Sequence, residues 1–131
     1  MPVYNGTVIN ESPTIVLEAG SKLENVQGKA VVITAGKAAI AGVGSMPIGI
    51  VPMSEDESVE AGSRLTVQIK DITAWVAGGK IVVGDPLTSD AQGRAIKATS
   101  GKFILGIALS ACEEAGAIIR AQIAKAGHVP A

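Results

Sequence analysis

The residues able to do chemistry are few in this chain, and their spacing does not assemble a known site. His128 is the one histidine and stands in the last four residues. A histidine-based triad or a multi-histidine metal site is excluded by that count. Cys112 is the one cysteine, so no intrachain disulfide forms, and the chain suits a reducing cytoplasm. No histidine lies near Cys112 in sequence, and it reads as a small buried apolar residue rather than a nucleophile. A phosphate loop needs G-x-x-x-x-G-K-[ST]. Gly36-Lys37 is followed by Ala38, and the preceding glycine, Gly28, is off that spacing. Glu55, Asp56, Glu57 and Glu60 would offer oxygens to a hard cation. They lack the spacing and central glycine of a calcium loop, and read as a solvated acidic loop. Asp85 and Asp90 stand in turn sequences, where aspartate caps backbone N–H groups. Against the requirements of an active site, these residues supply no enzyme and call for no cofactor or metal.

Trp75 carries two compatible readings. It is a core plug where two parts of the chain meet, or an anchor in a subunit interface, where tryptophan is enriched. The net charge is −1, from 11 basic and 12 acidic residues without a long block. That lacks the basic footprint of a nucleic-acid binder. No apolar run reaches the roughly 20 residues needed to span a bilayer, and the N-terminus lacks the pattern of a signal peptide.

The elements that position these residues come in two similar sets. Gly36–Ile50 and Gly93–Ile107 align without a gap. Gly36/Gly93, Ala38/Ala95, Ala41/Ala98, Gly44/Gly101, Gly49/Gly106 and Ile50/Ile107 are identical. The echo continues in Glu60-Ala61-Gly62 and Glu114-Ala115-Gly116, and in Gln68-Ile69 and Gln122-Ile123. The chain therefore reads as two copies of one unit.

The unit is a β unit. Apolar residues make up 47% of the chain, yet only Tyr4, Trp75 and Phe103 are aromatic, so Val, Ile, Leu and Ala must fill the core. Sixteen glycines punctuate short apolar runs, as in a chain that turns often. Leu65, Val67 and Ile69 alternate with polar residues, and Ile119, Ala121 and Ile123 do the same. Ile81–Val83 reads as a strand opening the second copy. Asp90–Gly93 reads as a hairpin turn into Arg94–Thr99. Helix is limited to a single turn near Ile72–Val76 or Ser110–Glu114. The expected fold is all-β, a compact barrel or sandwich of two repeats in one domain. Its parts are an N-terminal arm and first strand (1–18), a first repeat (19–69), a connector (70–76), a second repeat (77–124) and a loose tail (125–131). A short strand is possible at Thr7–Ile9.

With these residues in place, the second repeat resembles the phage capsid cement, or head decoration, proteins. The resemblance is carried by Gly84, Asp85, Leu87 and Thr88, then by Asp90 and Gly93. It continues through Leu105, Gly106, Ile107 and Ala108, then Ala115 and Gly116, and ends on Ile119 and Arg120. It is clear over residues 76–124 and looser over the first half. It implies a non-enzymatic structural protein, similar in role to the head-decoration protein of phage lambda. Such a protein is made in the host cytoplasm and sits on the outer capsid surface of the virion. The implied partners are the major capsid protein and further copies of the chain, as a homotrimer, with no nucleic acid and no membrane. The candidate partner-binding residues are Tyr4, Thr14, Ile15, Val16 and Leu17 in an arm spanning residues 2–17, together with Trp75. Thr14–Leu17 would add a strand to the edge of a capsid subunit. The alternative is a small oligomeric β binding module for a glycan or other ligand, against which the scarcity of aromatics argues.

Overall fold

The computed structural model describes residues 12–130, and the fold over them is all-β, without helix. Tyr4 and the possible strand at Thr7–Ile9 lie outside the described residues. The strands are β1 (Thr14–Glu18), β2 (Ala30–Thr34), β3 (Lys37–Ile40), β4 (Gly49–Ile50) and β5 (Arg64–Gln68) in the first half. The second half holds β6 (Asp71–Val76), β7 (Pro86–Ser89), β8 (Ala95–Lys97), β9 (Gly106–Ala108) and β10 (Ile118–Ile123). They form two five-stranded antiparallel sheets, ordered β1-β5-β4-β2-β3 and β6-β10-β9-β7-β8. The second order is the first with every strand replaced by its counterpart five places later. Of the expected barrel and sandwich, the arrangement is sandwich-like. Among the described residues each sheet brings its edge strands together at one parallel bridge, Ala19 with Ala38 and Ala77 with Ala95. One bridge is not a ladder, so neither sheet closes.

Alternation decides which residues reach the core. In β5, Leu65 and Val67 are buried, while in β10 Ile119, Ala121 and Ile123 are buried and Ile118, Arg120 and Gln122 are exposed. The first core gathers Leu23, Val26, Val31, Val51, Leu65 and Val67. The second gathers Trp75, Ile81, Leu87, Leu105 and Ile119, and takes Ala30, Ala41 and Ile50 from the first half. Each large aliphatic side chain so buried contributes about 1.5–3 kcal/mol. The borrowed residues make the two halves one body.

Several elements differ from the sequence expectation. Asp71–Val76, expected as a connector with at most a helical turn, is a strand paired with β10 along its whole length. Thr73 and Trp75 turn inward and Ile72 outward, and Ile, Thr, Trp and Val all favour a pleated surface. The tail is not loose. Ile104 N donates to the Gly127 carbonyl at 2.7 Å, and Val129 N donates to the Lys102 carbonyl at 2.9 Å. That pairing is mostly between backbone groups, which leave no periodic side-chain pattern to read. Val82 and Val83 are exposed in a turn instead of forming a strand, and Ile81 contributes one bridge to Cys112. The hairpin at Asp90–Gly93 forms as expected and pairs β7 with β8.

Gly49 and Gly106, matched in sequence, stand at matched close approaches. A Cβ on Gly106 would lie 2.6 Å from the Gln122 carbonyl oxygen, and one on Gly49 would run into the Gln68 carbonyl. Gly49→Ala and Gly106→Ala are therefore expected to destabilise the fold by about 1–3 kcal/mol each through overpacking. Gly42→Ala, where a Cβ meets nothing within 4 Å, serves as the near-neutral comparison. Urea unfolding of the three variants checks this, and equal midpoints would refute it.

Candidate functional site

The residues with chemical potential are used structurally. The Cys112 thiol is half-buried against the second core and donates to the Gly79 carbonyl at 3.3 Å. His128 sits edge-on to Phe103, with ring centroids 5.5 Å apart. Asp90 is a clamp: its Oδ1 accepts from Gln92 N at 2.9 Å and Arg94 N at 2.8 Å, and its Oδ2 pairs with Arg94 Nε at 2.8 Å. Asp85 Oδ2 caps Val82 N at 3.0 Å. In the acidic loop, Glu55 Oε1 accepts from Thr66 N at 2.8 Å, which ties the loop to the sheet. Asp56, Glu57 and Glu60 stay exposed. Among the described residues no three His, Cys, Asp or Glu side chains group to hold a metal ion, and no helix is long and apolar enough to cross a membrane.

Trp75 lies at the seam between the halves. It is fully buried, and its indole Nε1 donates to the Gly93 carbonyl at 2.9 Å. The same carbonyl accepts from Ala30 N at 2.7 Å, and Val76 N donates to the Gly28 carbonyl at 2.9 Å. Of its two readings, Trp75 is the core plug: a side chain with no exposed surface has nothing to offer a partner while the fold stays closed. Sequence reasoning missed Ala30, Gly28 and Gly93 as the other half of this seam. The only signal for them was the glycine of the Asp90–Gly93 turn. Beside the seam, Lys29 Nζ donates to the Asn25 carbonyl at 2.8 Å. Burial lowers its pKa, Arg94 lowers it further, and Asp90 opposes both.

The remaining candidates fall on β1. Thr14 to Glu18 pair in register with Gln68 to Arg64 of β5. Ile15 and Leu17 pack on the first core, and Val16 is 59% exposed on the opposite face. Thr14–Leu17 is therefore no unpaired arm: one of its edges is taken by β5. Its other edge is where the sheet ends. The pairing continues outward, because Ile69 N donates to the Pro13 carbonyl at 2.8 Å.

A family model described as phage cement protein matches residues 14–123. The chain belongs to the phage cement protein family. Membership places it among phage structural proteins, and the matched span runs from the first strand of the first sheet to the last strand of the second. Among solved structures, this cement protein is similar to the head fiber gp8.5 N base of bacteriophage phi29. The TM-score is 0.61 at 20% sequence identity, covering 87% of this chain and 95% of that one. That likeness is one of fold. Comparison with curated proteins gives no match.

Two outcomes follow from the seam. Trp75→Phe removes the indole donor and some volume, and is expected to cost about 1–3 kcal/mol. Trp75→Ala is expected to cost about 3–5 kcal/mol. Denaturant titrations of both variants check the order, and an unchanged midpoint in Trp75→Ala would place the seam elsewhere. For Lys29, the folded chain holds its proton less tightly than the unfolded chain does. Its contribution to stability therefore rises as pH climbs from the depressed folded value toward the ordinary lysine value. Wild type should gain stability relative to Lys29→Gln across that alkaline range, and parallel pH profiles would refute this.

Proposed function

We propose that this chain is a capsid cement protein: a homotrimer that binds the outer surface of a tailed-phage head, contacts the major capsid protein and stabilises the lattice without catalysing a reaction. The observation that carries this reading is the cement family match over residues 14–123. The structure supports it in kind. Among the described residues, those that could do chemistry serve as caps, clamps and core filling. The reading includes a duplicated unit. Supporting that are the shared strand order of the two sheets and the positive φ of the aligned Gly36 and Gly93, 79° and 75°. It also includes a role for the N-terminal segment in reaching a capsid subunit. The proposed stretch is residues 2–17: Thr14–Leu17 pairs with β5 along one edge, and its other edge is where the sheet ends, which supports strand addition there.

Light scattering of the purified chain, alone and mixed with expanded shells lacking decoration, tests the reading. A trimer that adds to the shells and raises their melting temperature is the expected result. A monomer that ignores the shells would reject it and favour a small binding module. Deleting residues 2–11 should abolish shell binding while thermal unfolding of the free protein stays close to wild type. Full retained affinity would remove residues 2–11 from the contact.

A further inference from the structure

The twin sheets provide an internal comparison of surfaces. β1–β5 and β6–β10 are equivalent antiparallel pairs at the ends of their sheets. In the first, the register sets Thr14 opposite Gln68, Val16 opposite Thr66 and Glu18 opposite Arg64. In the second, the matching positions are Ile72 opposite Gln122, Ala74 opposite Arg120 and Val76 opposite Ile118. In both pairs the intervening residues point into the cores. The outward face of the first pair is thus polar with one valine, and carries an acid opposite a base. In the second pair that Glu–Arg position has become Val–Ile, and a further isoleucine stands where the first has Thr14. Val76 packs over Gly28 at the seam, but the shared strand order does not require Ile72 or Ile118, since the first sheet is built without them. Ile72 and Ile118 are each 55% exposed. Arg120 stands among them, and its guanidinium has no ion-pair partner among the described residues.

We propose that this face of β6–β10, Ile72, Ala74 and Ile118 around Arg120, is the contact surface for a second copy of the same chain. The inference rests on the oligomeric cement reading and adds the surface to it. Three arguments select a second copy over the capsid lattice. A cement protein must stay dispersed until it meets its shell, and a bare apolar sheet face would drive it to associate first. Interfaces between permanent partners are also more apolar than those between proteins that meet after folding. Charge points the same way. An arginine covered at an interface needs a carboxylate, and Asp56, Glu57 and Glu114 are exposed and make no ion pair among the described residues.

The test is the solution mass of full-length Ile72→Asp, Ile118→Asp and Arg120→Glu variants, with Val16→Asp on the twin face as comparison. Emission of the buried Trp75 and far-ultraviolet circular dichroism report whether each variant is folded. The expected result is a fall to the mass of one chain in the first three, with Trp75 emission unchanged, and a wild-type mass for Val16→Asp. If an aspartate variant unfolds, Ile118→Ser and Arg120→Glu decide. Folded variants that keep the wild-type mass overturn the proposal, as does a wild type that is itself a single chain. Loss of the oligomer in Met46→Asp instead, on the patch of Ile33, Met46 and Ile48, also overturns it. Variants that stay oligomeric but no longer bind shells would assign this face to the lattice. A wild-type oligomer that ignores shells would sink the cement reading and leave this surface standing.

Discussion

Two hydrogen bonds from different parts of the chain end on the carbonyl oxygen of Gly93. One comes from the backbone N–H of Ala30 in the first half, the other from the indole of Trp75 in the second. A carbonyl has two lone pairs, and here both are used away from water, where an unmade bond is most costly. The Asp90 clamp holds the turn that presents this oxygen. Gly93 itself has φ of +75°, and a Cβ there would lie 2.9 Å from the Ala30 carbonyl. The turn, the tryptophan and the second strand of the first sheet are thus mutually required. Around them Ala30, Ala41 and Ile50 complete a core that belongs mostly to the other half.

The same constraint explains how a chain nearly without aromatics holds together. Small residues let backbones approach closely, and the approach is made at glycine and alanine on both sides of the seam. Each sheet repeats the device internally, with Gly49 under Gln68 and Gly106 under Gln122. The scaffold is stiffened by close backbone packing, not by large side chains. Its outward faces are left free to differ, and they do: one end pair is polar and the other apolar on the same strand order. For a structural phage protein, that freedom is what the fold offers. A double sheet can present different outward surfaces without changing its core.

The sequence alone determined the fold class and much of the layout. Alternation at Leu65–Val67 and Ile119–Ile123 marks core strands directly, because side chains along a strand switch faces at every residue. The matched glycines marked matched turns, because few other residues take those backbone angles or tolerate such contacts. The turn-and-strand pattern from Gly84 to Arg120 was enough to recognise the family. What only the tertiary structure decided is non-local. Asp71–Val76 is a strand because β10 is there to pair with it, and residues 125–130 are held because Lys102–Ile104 offer them backbone partners. Trp75 became a plug rather than a surface anchor because the first half closes over it. Hydrophobicity says that a tryptophan prefers cover, but which atoms provide the cover depends on chain segments far apart in sequence, and those distances exist only once the sheets have packed.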